Sequence, residues 1–119
     1  MSKFYCDNNN VGEKGAEQLA QCMEMMDSLK KVCLENNGIG DKGATALSKA
    51  LEDNDTLLSL HLENNNISRT GAYCLGEMIS NKYKLSKLNL NNNPIGDDGF
   101  SKVAKGMSEI ETLRIITLA

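Results

Sequence analysis

A thiol, an imidazole and an amide recur at one interval in this chain, because Cys33, His61 and Asn89 are each 28 residues apart. A carboxylate follows two residues after the thiol, at Glu35, and another follows two residues after the imidazole, at Glu63. Thiol, imidazole and amide groups together suggest a cysteine hydrolase. Thiol, imidazole and carboxylate groups are also ligands of divalent metal ions. Whether either chemistry is possible depends on the elements that carry these side chains.

The interval comes from a sequence repeat. The pattern Leu-x-x-Leu-x-Leu-x-x-Asn-x-Ile occupies 57–67 and 85–95, and a close copy occupies 29–39. A degenerate copy begins at Met1 and a shortened one at Leu113. The constant spacing predicts one domain over 1–119, with four 28-residue repeats at 1–28, 29–56, 57–84 and 85–112 and a partial fifth at 113–119.

Each repeat contains two different periodicities. Apolar residues alternate around Val32 and Leu34, which predicts a half-buried strand. Ala44, Leu47 and Leu51 then recur at helical spacing, which predicts an amphipathic helix. The predicted helices are 13–25, 41–53, 69–81 and 97–108. Their predicted N-terminal caps are Gly12, Gly40, Ser68 and Gly96.

Repeated strand–helix units place parallel strands side by side. Strands are ~4.8 Å apart, whereas packed helices need ~8–10 Å, so the stack has to curve with the strands inside. The predicted fold class is therefore α/β, a curved right-handed horseshoe segment with a concave strand face and a convex helix face. A column of asparagines is predicted to form a buried hydrogen-bonded ladder between repeats, because an amide can both donate and accept. This column is Asn9, Asn37, Asn65 and Asn93.

Two segments resemble a known family. Asn-Asn-Gly-Ile-Gly-Asp-Lys-Gly-Ala-Thr-Ala-Leu-Ser-Lys-Ala-Leu at 36–51 and Asn-Asn-Pro-Ile-Gly-Asp-Asp-Gly at 92–99 resemble the ribonuclease-inhibitor-type leucine-rich repeat. The uniform repeat length is nearest to the repeat domains of NOD-like receptors. The resemblance implies a leucine-rich-repeat solenoid that binds a protein partner. Ran GTPase-activating proteins share this scaffold, so a GTPase-activating regulatory scaffold is the alternative that the resemblance implies.

Strand side chains that alternate with the buried positions are expected to cover the concave face in a basic, a neutral and an acidic row. We expect a protein partner to bind these rows. Tyr5 and His61 are the expected anchors, because aromatic side chains are over-represented in binding hot spots. The predicted partner-binding residues are Lys3, Tyr5, Asp7, Lys31, Cys33, Glu35, Ser59, His61, Glu63, Lys87, Asn89 and Asn91.

An open strand face is a poor place for catalysis. Its backbone N–H groups are committed to the sheet, so they are not free to form an oxyanion hole. A single histidine also serves a standard zinc site poorly. We therefore predict no enzyme, no cofactor, and no catalytic or metal-binding residues. Among the other cysteines, Cys6 and Cys22 are predicted to be core residues and Cys74 to be partly exposed.

The bulk composition narrows the partner class. A net charge of −3 argues against a nucleic-acid surface. No apolar run reaches the ~18–20 residues of a membrane span, and the N-terminal residues lack the apolar region of a signal peptide. The four cysteines have no paired spacing, which predicts free thiols in a reducing compartment and a cytoplasmic location.

The last strand is expected to be an association edge, because apolar residues occupy both of its faces. The sequence therefore also allows a homodimer through this strand, or a structural fragment of a longer repeat protein. The predicted self-association residues are Arg114, Ile115, Ile116, Thr117 and Leu118.

Overall fold

Strands and helices alternate along the described part of the chain. The computed structural model describes residues 3–7, 9–26, 28–80, 85–108 and 115–117. The five short strands are β1 (Lys3–Tyr5), β2 (Lys31–Cys33), β3 (Ser59–His61), β4 (Lys87–Asn89) and β5 (Ile115–Thr117). The helices between them are α1 (Gly12–Met23), α2 (Gly40–Ala50), α3 (Arg69–Ile79) and α4 (Gly96–Ser108).

The strands form one parallel sheet in the order β1-β2-β3-β4-β5. Each strand pairs with the next in a register of one repeat, as when Val32 pairs with Leu60 and Leu60 with Leu88. Consecutive helices pack against one another and form a second layer beside the sheet. This arrangement confirms the predicted α/β repeat solenoid.

The helices begin close to the predicted positions, but the predicted cap glycines have a different role. Gly12, Gly40 and Gly96 are the first helical residues, and their φ angles are +72°, +64° and +72°. The chain turns into each helix through a left-handed conformation that glycine adopts without steric cost. Ser68 is the residue before α3 and has extended backbone angles. Three of the four predicted caps are therefore turn residues.

The columns of glycine and alanine have a packing reason. A Cβ atom added at Gly43 would lie 2.8 Å from the Cβ of Ala16, and one added at Gly71 would lie 3.1 Å from the Cβ of Ala44. A contact below 3.0 Å requires movement of a neighbour and one of 3.0–3.4 Å is tight, so each glycine lets its helix approach the helix before it. The aliphatic core lies between the helices and the sheet, where Leu34, Leu60, Leu62 and Leu88 are fully buried.

The asparagine ladder is present in the described repeats. Asn65 accepts a hydrogen bond from the N–H of Asn37 (2.9 Å) and donates to the carbonyls of Leu34 (2.8 Å) and Glu63 (3.1 Å). Asn37 and Asn65 are fully buried. The predicted burial is wrong for Asn9, which is exposed, and is only partial for Asn93. The other ladder residues bond backward to the preceding repeat, whereas the amide of Asn9 donates within its own turn, to the Asp7 carbonyl (2.8 Å).

One cysteine also departs from expectation. All four thiols are free, as predicted, and Cys74 is partly exposed. Cys6 is partly buried against the core. The prediction of a core role for Cys22 is wrong, because this residue is exposed. Its repeat equivalent Ala50 belongs to α2, which has a helix on each side, whereas α1 packs only against α2 among the described elements.

The strand β5 lies at one edge of the five-stranded sheet. The residues 115–117 pair with β4 in the same parallel register, so β5 and β1 are the outer strands. Arg114 and Leu118 of the predicted association edge lie outside the described residues. No helix in the described part of the chain is long and apolar enough to cross a membrane.

Candidate functional site on the concave face

The sheet register brings the sequence-predicted rows together. Lys3, Lys31, Ser59 and Lys87 are neighbours across four strands, and so are Tyr5, Cys33, His61 and Asn89. The third row follows the strand ends. There the carboxylate of Asp7 accepts a hydrogen bond from the N–H of Glu35 (2.8 Å), and the amide of Asn89 accepts one from the N–H of Asn91 (3.0 Å).

The N-terminal side of this face carries an exposed aromatic side chain. Tyr5 is 58% exposed, and the ammonium group of Lys31 lies 5.5 Å from the centre of its ring. This distance is within the range of a cation–π interaction. Lys3 and Lys87 are also exposed in the adjacent row. The most accessible part of the concave face is therefore aromatic and basic.

The centre of the face holds a compact set of ligand-type side chains, here called the Glu–His–Glu cluster, made of Glu35, His61 and Glu63. One nitrogen or oxygen atom from each of the three lies within 4.8 Å of the other two. The Nδ1 atom of His61 lies 3.8 Å from Oε1 of Glu63. That oxygen is buried and has no hydrogen-bond partner among the described residues. The cluster is therefore close but incompletely bonded.

Burial is the largest cause of the pKa shifts of Glu63 and His61 in the Glu–His–Glu cluster. It raises the pKa of Glu63 to about 7, and the neighbouring Glu35 carboxyl contributes to the rise. Burial also lowers the pKa of His61, assisted by the positive charges of Lys87 and Lys31. Both shifts favour neutral side chains, as expected for charges removed from water.

The thiol in the same row is poorly suited to nucleophilic catalysis. Cys33 is 4% exposed, and burial raises the pKa of its thiol. A reactive cysteine needs a lowered pKa and access to its substrate. His61 is also only 9% exposed, so it offers a partner much less surface than Tyr5 does. Both side chains are screened within the curved face, whereas Tyr5 at its edge remains accessible.

A second asparagine column at the strand-to-helix turns escaped the sequence reasoning. Asn36, Asn64 and Asn92 have φ angles of +59°, +56° and +61°. Asparagine is one of the few residues that enter this left-handed region readily. The recurrence of Asn directly before each ladder position was the available signal. These turns fix the direction in which the chain leaves the acidic row.

A comparison with known protein families finds a match to the repeated segments of the chain. A family model described as Leucine Rich repeat matches residues 28–48, 53–76 and 84–104, which together make up more than half of the chain. The chain belongs to the leucine-rich-repeat family. Proteins of this family are generally non-enzymatic modules for protein–protein interaction. The matched segments include all three residues of the Glu–His–Glu cluster.

Among solved structures, the leucine-rich-repeat fold of this chain is similar to one titled Leiomodin-1 Actin-Binding Site 2 (ABS2). The TM-score is 0.88, and the match covers 100% of this chain and 70% of that chain. Sequence identity is 22%, so the similarity extends to the fold alone. A search of curated proteins finds no matching sequence.

Proposed function

We propose that this leucine-rich-repeat domain, extending over 1–119, binds a protein partner through its concave face. The observation that carries the proposal is the exposed Tyr5 ring held beneath Lys31 at the edge of that face. An aromatic ring with few rotatable bonds presents a large contact area at a small entropic cost, which favours a role as a binding anchor.

Charge on the concave face would orient the partner. The exposed lysines Lys3 and Lys87 occupy one row, and the carboxylates Asp7, Glu35 and Glu63 occupy the row at the strand ends. A partner with acidic groups opposite the lysines would meet complementary charge. Such complementarity mainly raises the association rate and selects the orientation. We therefore expect binding to weaken as salt concentration rises.

The finer assignments belong to the same proposal. The motifs at 36–51 and 92–99 support the ribonuclease-inhibitor type, and the uniform repeat length supports the NOD-like receptor pattern within it. Four free thiols support a reducing, cytoplasmic environment. The GTPase-activating alternative is tested by measuring GTP hydrolysis by small GTPases with and without the chain.

A pair of triple variants tests the concave face. One combines Lys3→Glu, Tyr5→Ala and Lys87→Glu. The matched control makes the same exchanges on exposed helix residues, namely Lys14→Glu, Tyr73→Ala and Lys49→Glu. All six side chains are exposed, so both variants should fold, which circular dichroism and thermal unfolding would verify. The wild-type chain and both variants are then used for quantitative affinity capture, followed by direct binding of each captured protein.

We expect the concave variant to weaken binding of a captured partner at least about tenfold, as for loss of a hot spot, whereas the helix variant binds as wild type. Equal partner sets and affinities for the two variants would contradict the concave-face proposal. Actin is included in the direct binding measurements because the similar solved structure is named for its actin-binding site. Binding of actin would identify one partner. Absence of actin binding would leave the comparison of the two variants, and so the test of the concave face, unchanged.

Self-association is a second candidate, supported by the position of β1 and β5 as the outer strands of the sheet. Unpaired strand edges can pair with a second copy. Light scattering over a range of concentrations would report a dimer, and a proline at Ile116 should reduce it by removing a backbone donor. A mass equal to the monomer at every concentration would exclude this role.

A further inference from the structure

We propose that the Glu–His–Glu cluster is a binding site for one divalent Zn²⁺-type cation, with Glu35, His61 and Glu63 as its protein ligands. The remaining coordination position would face the concave surface and hold water or a group from a partner. This inference goes beyond the protein-binding role and does not depend on it.

The distances within the cluster are near those of a metal site. Zn²⁺ in a tetrahedral site lies ~2.0–2.2 Å from nitrogen and oxygen ligands, so two ligand atoms of one ion are about 3.3–3.6 Å apart. The separation of 3.8 Å between Nδ1 of His61 and Oε1 of Glu63 is within about 0.5 Å of this range. The three candidate ligand atoms lie within 4.8 Å of one another, so binding an ion requires side-chain rotations that draw the widest pair together by up to about 1.5 Å.

One buried polar atom in the cluster lacks a hydrogen-bond partner among the described residues, and the His61 side chain makes only a long contact. The Oε1 atom of Glu63 is buried and accepts no hydrogen bond from the described residues. His61 is 9% exposed, and within those residues its only polar side-chain contact is the long one to Glu63. Buried polar atoms are normally bonded, because an unpaired one costs about 1–3 kcal/mol. A cation would bind both groups at once.

The backbone around the three ligands is held by the repeat itself. The carbonyl of Glu63 accepts hydrogen bonds from the N–H of Asn36 (3.0 Å) and the amide of Asn65 (3.1 Å). The N–H of Glu35 donates to the carboxylate of Asp7 (2.8 Å). These bonds fix the Cα positions of the ligands before any ion binds, which reduces the ordering cost of coordination.

The ligand set selects the class of ion. A single histidine argued against a standard zinc site in the sequence, but the fold places two carboxylates beside that imidazole, and this ligand set suits Zn²⁺ and similar transition metals. Ca²⁺ and Mg²⁺ prefer oxygen ligands alone. The surrounding charge also tolerates a dication. Asp7 adds a third carboxylate to those of Glu35 and Glu63, against the nearby ammonium groups of Lys31 and Lys87.

The single histidine makes the site directly observable. Because His61 is the only imidazole in the chain, its ring proton signals in NMR report on this site alone. The protein is prepared without a histidine tag, treated with chelator, kept reduced and titrated with ZnCl₂. We expect the ring signals of His61 to be replaced by a shifted set that is complete at one ion per cluster. Unchanged ring signals after several equivalents would overturn the proposal, even if zinc binds elsewhere.

Variants identify the ligands. Glu63→Gln keeps the shape but removes the charge, and we expect it to weaken Zn²⁺ binding at His61 at least about tenfold, since even outer-shell changes at metal sites cost ~10–100-fold. Glu35→Gln provides the same test should the first variant fold poorly. The matched control Glu17→Gln changes an exposed helix carboxylate and should leave the titration unchanged.

The thiol beside the cluster needs its own control. Free cysteines also bind zinc, and Cys33 pairs directly with His61 in the sheet. We expect Cys33→Ser to retain the shift of the His61 signals, and Co²⁺ substituted at the site to lack a thiolate charge-transfer band. Loss of the shift in Cys33→Ser, or equal affinity in wild type and Glu63→Gln, would refute the assigned ligand set. Neither result bears on partner binding through Tyr5.

Discussion

The carboxylate of Asp41 hydrogen bonds Ser68 twice, to its backbone N–H at 2.7 Å and to its hydroxyl. The same carboxylate accepts the N–H of Gly71 (3.0 Å). Asp41 lies in the first turn of α2, whereas Ser68 precedes α3. One repeat therefore caps the helix of the next, so the helix layer is joined by polar bonds as well as by apolar packing. The predictions below follow from such contacts between repeats.

Removal of this cap should destabilise the solenoid. We expect Asp41→Ala to lower the free energy of unfolding by about 1–2 kcal/mol, as for other lost N-terminal caps. Asp97 occupies the same helix position in α4 but is exposed, so Asp97→Ala is the matched control and should cost less than about 0.5 kcal/mol. Urea unfolding of both variants measures the difference. Equal losses would mean that the effect comes from the helix dipole instead of the contact between repeats.

The ladder should be most sensitive at its centre. Asn65→Ala leaves the Leu34 carbonyl and the Asn37 N–H without their side-chain partner in the interior. At about 1–3 kcal/mol for each of these two buried groups, the total loss should be at least about 2 kcal/mol. Asn9→Ala, at the exposed equivalent position, should cost under about 1 kcal/mol, again by urea unfolding. Similar costs at the two positions would contradict a buried ladder.

The stability of the metal-free protein should depend on Glu63 protonation. Its pKa is raised from 4.5 to about 7 in the fold, so between these values the native state binds more protons than the unfolded state. Its contribution is present at low pH and is lost as pH rises through about 7. With chelator present, the free energy of unfolding of Glu63→Gln should therefore rise relative to that of wild type by on the order of 1–3 kcal/mol between pH 4 and pH 8.

Chemical unfolding of both proteins at each pH measures this gain. Taking the difference between the two proteins reduces the contribution of His61, whose lowered pKa makes stability rise with pH in the wild type. Glu17→Gln serves as the exposed control and should follow the wild-type pH profile. A constant difference between Glu63→Gln and wild type across the pH range would show that the Glu63 carboxyl has an ordinary pKa in the fold.

The four thiols should differ in reactivity. Cys22 is exposed, whereas Cys33 is 4% exposed and has a raised thiol pKa. We expect iodoacetamide at neutral pH to alkylate Cys22 at least about tenfold faster than Cys33, since the thiolate is the nucleophile. Peptide mass spectrometry over time follows each site, and the rates should converge in urea. Fast labelling of Cys33 in the native protein would instead support an activated thiol.

The repeat length made most of the fold predictable. A fixed interval between apolar positions determines which strands pair, so Val32, Leu60 and Leu88 could be aligned before any coordinates were available. The side-chain rows on the concave face followed from the same alignment. Burial within a row was less predictable, because His61 and Tyr5 hold equivalent positions in their repeats but are 9% and 58% exposed. Their difference depends on the neighbours on each side of a strand.

The sequence by itself determined the solenoid, the asparagine ladder and the residue types on each face, because all three depend on positions that recur with the repeat. Tertiary structure alone decided that Asp41 caps a helix of the following repeat, that Cys22 is exposed, and that Glu35, His61 and Glu63 form a close, partly unbonded cluster. These features depend on side-chain directions and on the burial of each repeat, and such properties vary between positions that the repeat makes equivalent.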